Sequence, residues 1–134
     1  MIGLCVGLAG VIWAEVPVGE FTLAWQHSVE RVRWEEDYRA TPTGLLLEAA
    51  RIKGSGAGME PPDDAELRAG SWHYRPRLPP LQPLRLGRTP EAGDYQICFG
   101  GQCHDLAQWI GPPNPDQPAV ELWACRVLAE QDRP

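Results

Sequence analysis

Residues 21–29, Phe21-Thr22-Leu23-Ala24-Trp25-Gln26-His27-Ser28-Val29, alternate without a break. Phe21, Leu23, Trp25, His27 and Val29 face one way; Thr22, Ala24, Gln26 and Ser28 face the other. A period of two is the mark of a strand with one buried face. Working outward, Val32–Ala40 repeats the pattern, with Trp34, Glu36, Tyr38 and Ala40 on one face and Glu35, Asp37 and Arg39 on the other. Thr41-Pro42-Thr43-Gly44 reads as a turn, and Leu45–Ile52 as a third strand. Upstream, Ile2–Val6 and Val11–Val16 read as short strands turning at Gly7-Leu8-Ala9-Gly10. Downstream, strands are expected at Ser71–Tyr74, Leu84–Gly87, Tyr95–Phe99, Gln102–His104 and Val120–Leu128. The acidic, breaker-rich Met59–Gly70 reads as a surface excursion, Pro76–Pro83 as extended chain with polyproline character, and Pro112–Pro118 as a rigid loop. One helical turn, capped by Asp105, is expected over Asp105–Ile110. The pattern predicts one all-β domain over residues 1–134, a small antiparallel β-sandwich or partly open barrel with Pro/Gly-rich loops.

Composition agrees. The 134 residues include 14 glycines and 14 prolines, which disfavour long helices, and six tryptophans within a 43% hydrophobic content that calls for a packed core. A net charge of −6 argues against nucleic-acid binding, which needs basic patches. No apolar run approaches the roughly 20 residues of a membrane-spanning helix. Met1–Ala14 is apolar but has no Lys or Arg ahead of the apolar stretch and is broken by Gly3, Gly7 and Gly10. It reads as strands, with no clear signal peptide in this chain.

The four cysteines fall into two sets. Cys98 and Cys103 flank Phe99-Gly100-Gly101-Gln102, a hairpin turning on Gly-Gly, which sets the two cysteines opposite each other in a non-hydrogen-bonded pair. Cys5 and Cys125 meet if the terminal strands pair. Two disulfides, free thiols and a four-cysteine zinc site are the alternatives. Bridged cysteines imply a periplasmic address, free thiols a cytoplasmic one.

A first hairpin turning at Arg31-Val32 sets Trp25 against Tyr38, His27 against Glu36 and Val29 against Trp34. The Thr41–Gly44 turn then sets Tyr38 against Leu47, Glu36 against Ala49 and Trp34 against Arg51. Together these pairings predict a His27–Glu36–Arg51 cluster walled by Trp25, Trp34 and Tyr38. Such groups either satisfy one another in a structural core or form a pocket in which Arg51 and His27 hold an anionic small molecule. Ser55, in the glycine loop Gly54-Ser55-Gly56-Ala57-Gly58, adds a hydroxyl to a candidate anion nest. His27 and Ser28 point to opposite faces and cannot act as base and nucleophile, and no G-x-S-x-G or H-E-x-x-H is present. The glycine loop lacks the dinucleotide fingerprint and the Gly-Lys-Ser/Thr of a phosphate loop. No catalytic residue, metal ligand or cofactor is assigned. His73 and His104 read as surface residues.

The string from Phe21 to Glu30, then Trp34-Glu35-Glu36-Asp37, then Gly54-Ser55-Gly56-Ala57-Gly58-Met59, resembles the bacterial domain of unknown function 1850 family. Trp72, the Leu78-Pro79-Pro80 turn and the cysteine hairpin fit it too. The resemblance implies a small protein often encoded beside TRAP transporters of the TAXI type, which import organic acids with a binding protein. It supplies no activity and no catalytic residues. Many relatives begin with a hydrophobic export or anchor segment, from which this chain departs. The expectation is a non-enzymatic accessory or binding protein for TAXI-type TRAP transport, contacting transporter subunits or a carboxylate solute. The alternatives are a small enzyme using a His27/Glu36 acid–base pair and a purely structural interaction module.

Overall fold

The computed structural model describes residues 1–26, 32–53 and 65–128. Strands β1 (Ile2–Leu8) and β2 (Val11–Val16) form the first hairpin. They join β11 (Ala119–Arg126) and β8 (Leu84–Gly87) in a four-stranded antiparallel sheet of order β2-β1-β11-β8. The second sheet has seven strands. They are β3 (Glu20–Gln26), β4 (Arg33–Thr41), β5 (Gly44–Lys53), β6 (Glu66–Arg68), β7 (Ser71–Tyr74), β9 (Gln96–Phe99) and β10 (Gln102–Asp105), in the order β10-β9-β3-β4-β5-β7-β6. Its pairings are also antiparallel. The fold is thus the all-β, two-sheet sandwich that the alternation predicts, and neither sheet closes into a barrel.

One buried cluster draws on both sheets: Leu4, Val6, Val120 and Leu122 from the smaller, Phe21, Leu23, Tyr38, Leu45 and Ile97 from the larger. β1 lies between two neighbours, and Leu4, Cys5 and Val6 are all fully buried. That explains why it reads as a continuous apolar run rather than an alternating one. Gly7 sits where the β1–β2 register shifts, and a Cβ there would collide with the Val11 carbonyl. Only glycine fits that approach.

The cysteine hairpin forms as read. Phe99 faces Gln102, Cys98 faces Cys103, and Gly100 and Gly101 both have positive φ, 59° and 78°. A two-residue turn of this hand requires that. Cys98–Cys103 and Cys5–Cys125 are both disulfides, which excludes the four-cysteine zinc site. Among the described residues no group of three or more His, Cys, Asp or Glu is placed to hold a metal ion. No helix among them is long and apolar enough to cross a membrane.

Three local expectations need correction. The excursion Met59–Gly70 contains the three-residue strand β6, which pairs with β7 through Glu66–His73, Leu67–Trp72 and Arg68–Ser71. The helical turn α1 (Ala107–Ile110) has no cap from Asp105; the Ala107 N–H is instead satisfied at 2.7 Å by Asp94 Oδ2. Asp94 also accepts from the Tyr95 N–H and takes both prongs of the buried Arg88 guanidinium at 3.1 Å, and Arg88 reaches the Gly111 carbonyl at 3.0 Å. This clamp ties the end of β8 to the helical turn. A tertiary partner therefore displaces the local cap.

The third correction is register. β3 and β4 pair as Phe21–Tyr38, Leu23–Glu36, Trp25–Trp34 and Gln26–Arg33, which is not the register expected from a turn at Arg31-Val32. The offset is even, so each residue keeps its face. β4 and β5 pair as expected from Thr41–Gly44 to Tyr38–Leu47, and there a bulge intervenes. Glu48 is the extra residue, and Asp37 pairs with Ala49, Glu36 with Ala50, Glu35 with Arg51 and Trp34 with Ile52. One inserted residue exchanges the faces of everything beyond it. The inward positions on β5 accordingly pass from Leu45 and Leu47 to Ala50 and Ile52.

Candidate functional site

β4 carries functional groups on both faces of the larger sheet. Its odd residues project outward, away from the smaller sheet. Arg51, moved to that face by the bulge, donates from Nη1 and Nη2 to the two Asp37 oxygens at 2.6 and 2.8 Å and from Nε to Glu35 Oε1 at 3.0 Å. Glu35 Oε2 takes Arg33 Nε at 2.9 Å and faces Lys53 Nζ at 3.5 Å, while Thr22 Oγ1 donates to Asp37 at 2.7 Å. Arg33 extends across β3 to Gln96 Oε1 on β9 at 3.0 Å, and Gln96 in turn donates to Asp105. The crossing passes Ala24, which lies in register between Glu35 and Gln96 and is fully buried.

The chemistry of this face follows from its pairing. Burial pushes the Glu35 carboxyl up, but hydrogen bonds from Arg33 and Arg51 and the charge of Lys53 together hold it below its ordinary value. The Arg51 hydrogen bonds lower Asp37 against its desolvation, helped by Thr22. Arg51 is raised in turn, chiefly by Asp37. All three groups stay charged at neutral pH. A groove of about 710 Å³ opens on this face, with Glu20, Glu35, Asp37 and Glu48 against Arg51 and Arg75, and the Cys98–Cys103 hairpin forms one wall. Four carboxylates against two arginines, with Arg51 already engaged, make an acidic surface rather than an anion receptor.

The inner face carries Trp34, Glu36 and Tyr38. Trp25 stacks on Trp34 with centroids 5.9 Å apart and planes within 10°, and touches Tyr95 at 5.7 Å. Phe21 stacks on Tyr38 at 5.6 Å. Glu36 stands between Leu23 and Ala50, and Tyr74 pairs with Ala50 on the far side. Among the described residues the Glu36 carboxyl has the Tyr38 hydroxyl, at 2.9 Å, as its hydrogen-bond donor, and no cation. Burial raises its pKa, only partly offset by Tyr38. Desolvation and then the Glu36 charge raise Tyr38, Tyr74 and Tyr95, so the three phenols stay protonated. The Trp34 indole N–H is buried and has no hydrogen-bond partner among the described residues.

The candidate set thus divides. Trp25, Trp34 and Glu36 share the inner face; Arg51 lies on the outer one, so the expected Glu36–Arg51 contact does not form. His27 and Ser55 lie outside the described residues. The strand ends to which their segments attach, Gln26, Arg33 and Lys53, are consecutive neighbours in register, one position beyond the Trp25–Trp34 pair. Sequence reasoning missed Arg33, Asp37, Tyr74 and Tyr95. A signal for Arg33 was present in Ala24, the small residue on an otherwise polar strand face. Tyr74 and Tyr95 come from distant elements, and no local pattern links them to Glu36.

No curated protein and no solved structure matches the chain. A family model, Domain of unknown function (DUF1850), matches residues 21–106, which runs from β3 through the cysteine hairpin and takes in both faces of the larger sheet. With more than half of its length matched, the chain belongs to the DUF1850 family.

Proposed function

We propose that this protein is a non-enzymatic binding component serving TAXI-type TRAP uptake of organic acids, and that its ligand site is the inner-face group of Trp25, Trp34 and Glu36. One observation carries the reading. Glu36 is a desolvated carboxyl with a hydroxyl partner and no cation among the described residues, beside stacked indoles, in a sheet whose outward carboxylates are ion-paired. A partly buried carboxyl without a cation costs some stability, and a ligand that supplies the missing partner would offset that cost. Protonated, Glu36 donates to a carboxylate oxygen of an organic acid; ionised, it accepts from an ammonium, as in an amino acid. The tryptophans supply apolar walls, and Trp34 supplies an N–H donor. Arg51 serves the scaffold here, not the ligand. The transport setting rests on the family resemblance, and the two disulfides favour the oxidising, periplasmic side.

The test is calorimetry and native mass spectrometry with dicarboxylates and amino acids. Binding is expected for the wild type and lost in Glu36→Ala, with Arg51→Met altering stability only. Failure of both ligand classes to bind, or unchanged binding in Glu36→Ala, would remove the inner-face reading.

Two other readings each have an observation behind them. The raised Glu36 carboxyl suits a general acid, which favours a small enzyme using His27 and Glu36; turnover of a carboxylic acid, lost in His27→Ala with the fold intact, would establish it. The outer groove favours a structural interaction module, which predicts co-purification with transporter subunits and no small ligand.

A further inference from the structure

The two disulfides occupy opposite settings. Cys5–Cys125 joins residues 120 apart in sequence, and Cys5 is fully buried on the central strand β1. Cys98–Cys103 spans a separation of five residues on the last hairpin of the larger sheet, and Cys103 lies exposed on the edge strand β10. Removing the first would open a loop of nearly the whole chain. Removing the second leaves a hairpin whose register is already set by its Gly-Gly turn.

A cation stands beside the exposed bridge. Arg33 Nη2 lies 3.5 Å from Cys103 Sγ and 3.9 Å from Cys98 Sγ. The other two guanidinium nitrogens are committed to oxygen, Nε to Glu35 and Nη1 to Gln96, and these two contacts fix the group in place. Nη2 has no oxygen acceptor among the described residues and is turned to the sulfurs alone. A neutral disulfide gains little from a cation. A thiolate gains a great deal, because an adjacent guanidinium lowers thiol pKa and improves the leaving group. The groove of the outer face ends on this same bridge, with Gly100 and Gly101 beside it and no side chain over it from the turn.

We infer that Cys98–Cys103 is a thiol–disulfide exchange site, with Cys103, the more exposed of the two, as the attacked sulfur and Arg33, whose Nη2 lies within 3.9 Å of both sulfurs, as the group that stabilises the departing Cys98 thiolate. An incoming thiolate forms a bond to Cys103 Sγ. The Cys98–Cys103 bond breaks, and its electron pair passes to Cys98 Sγ, which keeps the charge beside Arg33 or takes a proton from water. A second thiol of the donor, as thiolate, then attacks its own sulfur in the mixed disulfide and releases Cys103. The protein ends with two thiols and the donor with one disulfide, so two electrons pass from donor to protein. The co-reactant is a thiol, and β10 is the edge of the sheet among the described residues, with Cys103 exposed on it. This inference is independent of the ligand reading at Glu36, which lies on the other face.

The experiment is graded reduction of the intact native protein with glutathione, followed by alkylation and peptide mass mapping. Cys98 and Cys103 should label at glutathione levels that leave Cys5–Cys125 intact, and the first mixed disulfide should be found on Cys103. Arg33→Gln should slow the opening of Cys98–Cys103 several-fold, with Cys5–Cys125 still resistant as the check on folding. Simultaneous reduction of both bridges, a first adduct on Cys98, or an Arg33→Gln rate equal to the wild type would each overturn the proposal. A parallel arm with a dithiol oxidoreductase identifies the donor: faster exchange than with glutathione at equal thiol points to a protein dithiol, an equal rate to small thiols.

Discussion

On the outer face of β4, Glu35 has Arg33, Arg51 and Lys53 within 3.5 Å, whereas Glu36, the next residue, turns to the inner face and has the Tyr38 hydroxyl alone among the described residues. Both are glutamates on one strand, and both lose water. Burial raises each carboxyl; on Glu35 the cations outweigh it, and on Glu36 nothing described does. The difference teaches that desolvation is common to the two faces and that compensation is what separates them. One face is built to stay charged, and the other holds a carboxyl at a cost.

The contrast is broken most severely at Arg51. Arg51→Met leaves Glu35 and Asp37 without their shared guanidinium, three hydrogen bonds poorer. Arg51 is about one-fifth exposed, so the loss is discounted from that of a fully buried pair to roughly 2–3 kcal/mol, read by urea unfolding at pH 7. The pH profile carries a second signature. Folded Glu35 and Asp37 sit below their ordinary values of 4.5 and 3.8, so they stabilise the fold above those values, and the gain is lost as pH falls through the lowered folded ones. Arg51→Met should flatten that acid limb. A variant that keeps it would show that Arg33 and Lys53 suffice.

Next in size is Ala24→Leu. Ala24 is fully buried in register between Glu35 and Gln96, where Arg33 crosses β3, and three added carbons there must displace its neighbours, with the guanidinium expected among them. Overpacking of this kind costs roughly 1–3 kcal/mol. The same variant should slow the opening of Cys98–Cys103, because Arg33 leaves the sulfurs. A stable Ala24→Leu protein with an unchanged opening rate would show that Arg33 reaches the bridge by another path.

Glu36→Gln tests the other face and has the opposite sign. Folded Glu36 sits above 4.5, so its contribution is favourable below 4.5 and is lost as pH rises through the raised folded value. A neutral amide keeps an oxygen for the Tyr38 hydroxyl and removes the desolvated charge. Stability should therefore rise, by about 1 kcal/mol at pH 8, and the gain should vanish toward pH 4.5. A lower melting temperature at pH 8 would mean that the ionised carboxyl has a partner and that the two faces do not differ in compensation.

Where the sequence was legible follows the same physics. The alternation of residues 21–26 and 34–40 set the side chains on the faces that the register supports, because one buried face imposes a period of two over a long run. The Gly-Gly hairpin was legible to the residue, since only a two-residue turn of positive φ fits it. The β3–β4 register was not: residues 27–32 hold no turn pair that fixes a length, and even offsets preserve the pattern. The bulge left still less trace. Leu45-Leu46-Leu47-Glu48-Ala49-Ala50 has no alternation to break, so the exchange of faces at Glu48 is invisible until β4 is laid beside it. Yet whether Glu48 takes a partner on β4 or bulges out of the ladder decides whether Arg51 joins Glu36 or Glu35.

The smallest effect should therefore come from the residue with the largest architectural consequence. Glu48 acts by its backbone, as the one residue of β5 without a partner across β4. Its side chain is more than two-fifths exposed and makes a 3.4 Å ion pair with Arg39, itself nearly half exposed. Exposed pairs of this kind contribute little. Glu48→Ala should change stability by no more than about 0.5 kcal/mol and leave the acid limb intact. Deleting Glu48 is the sharper form. Deletion removes the bulge yet leaves Ala49 opposite Asp37 and Arg51 opposite Glu35, so Arg51 keeps its outward face and the acid limb should persist. If it disappears in the deletion while surviving in Glu48→Ala, the bend of the bulge, and not only the count of residues, sets the distance at which Arg51 meets its two carboxylates.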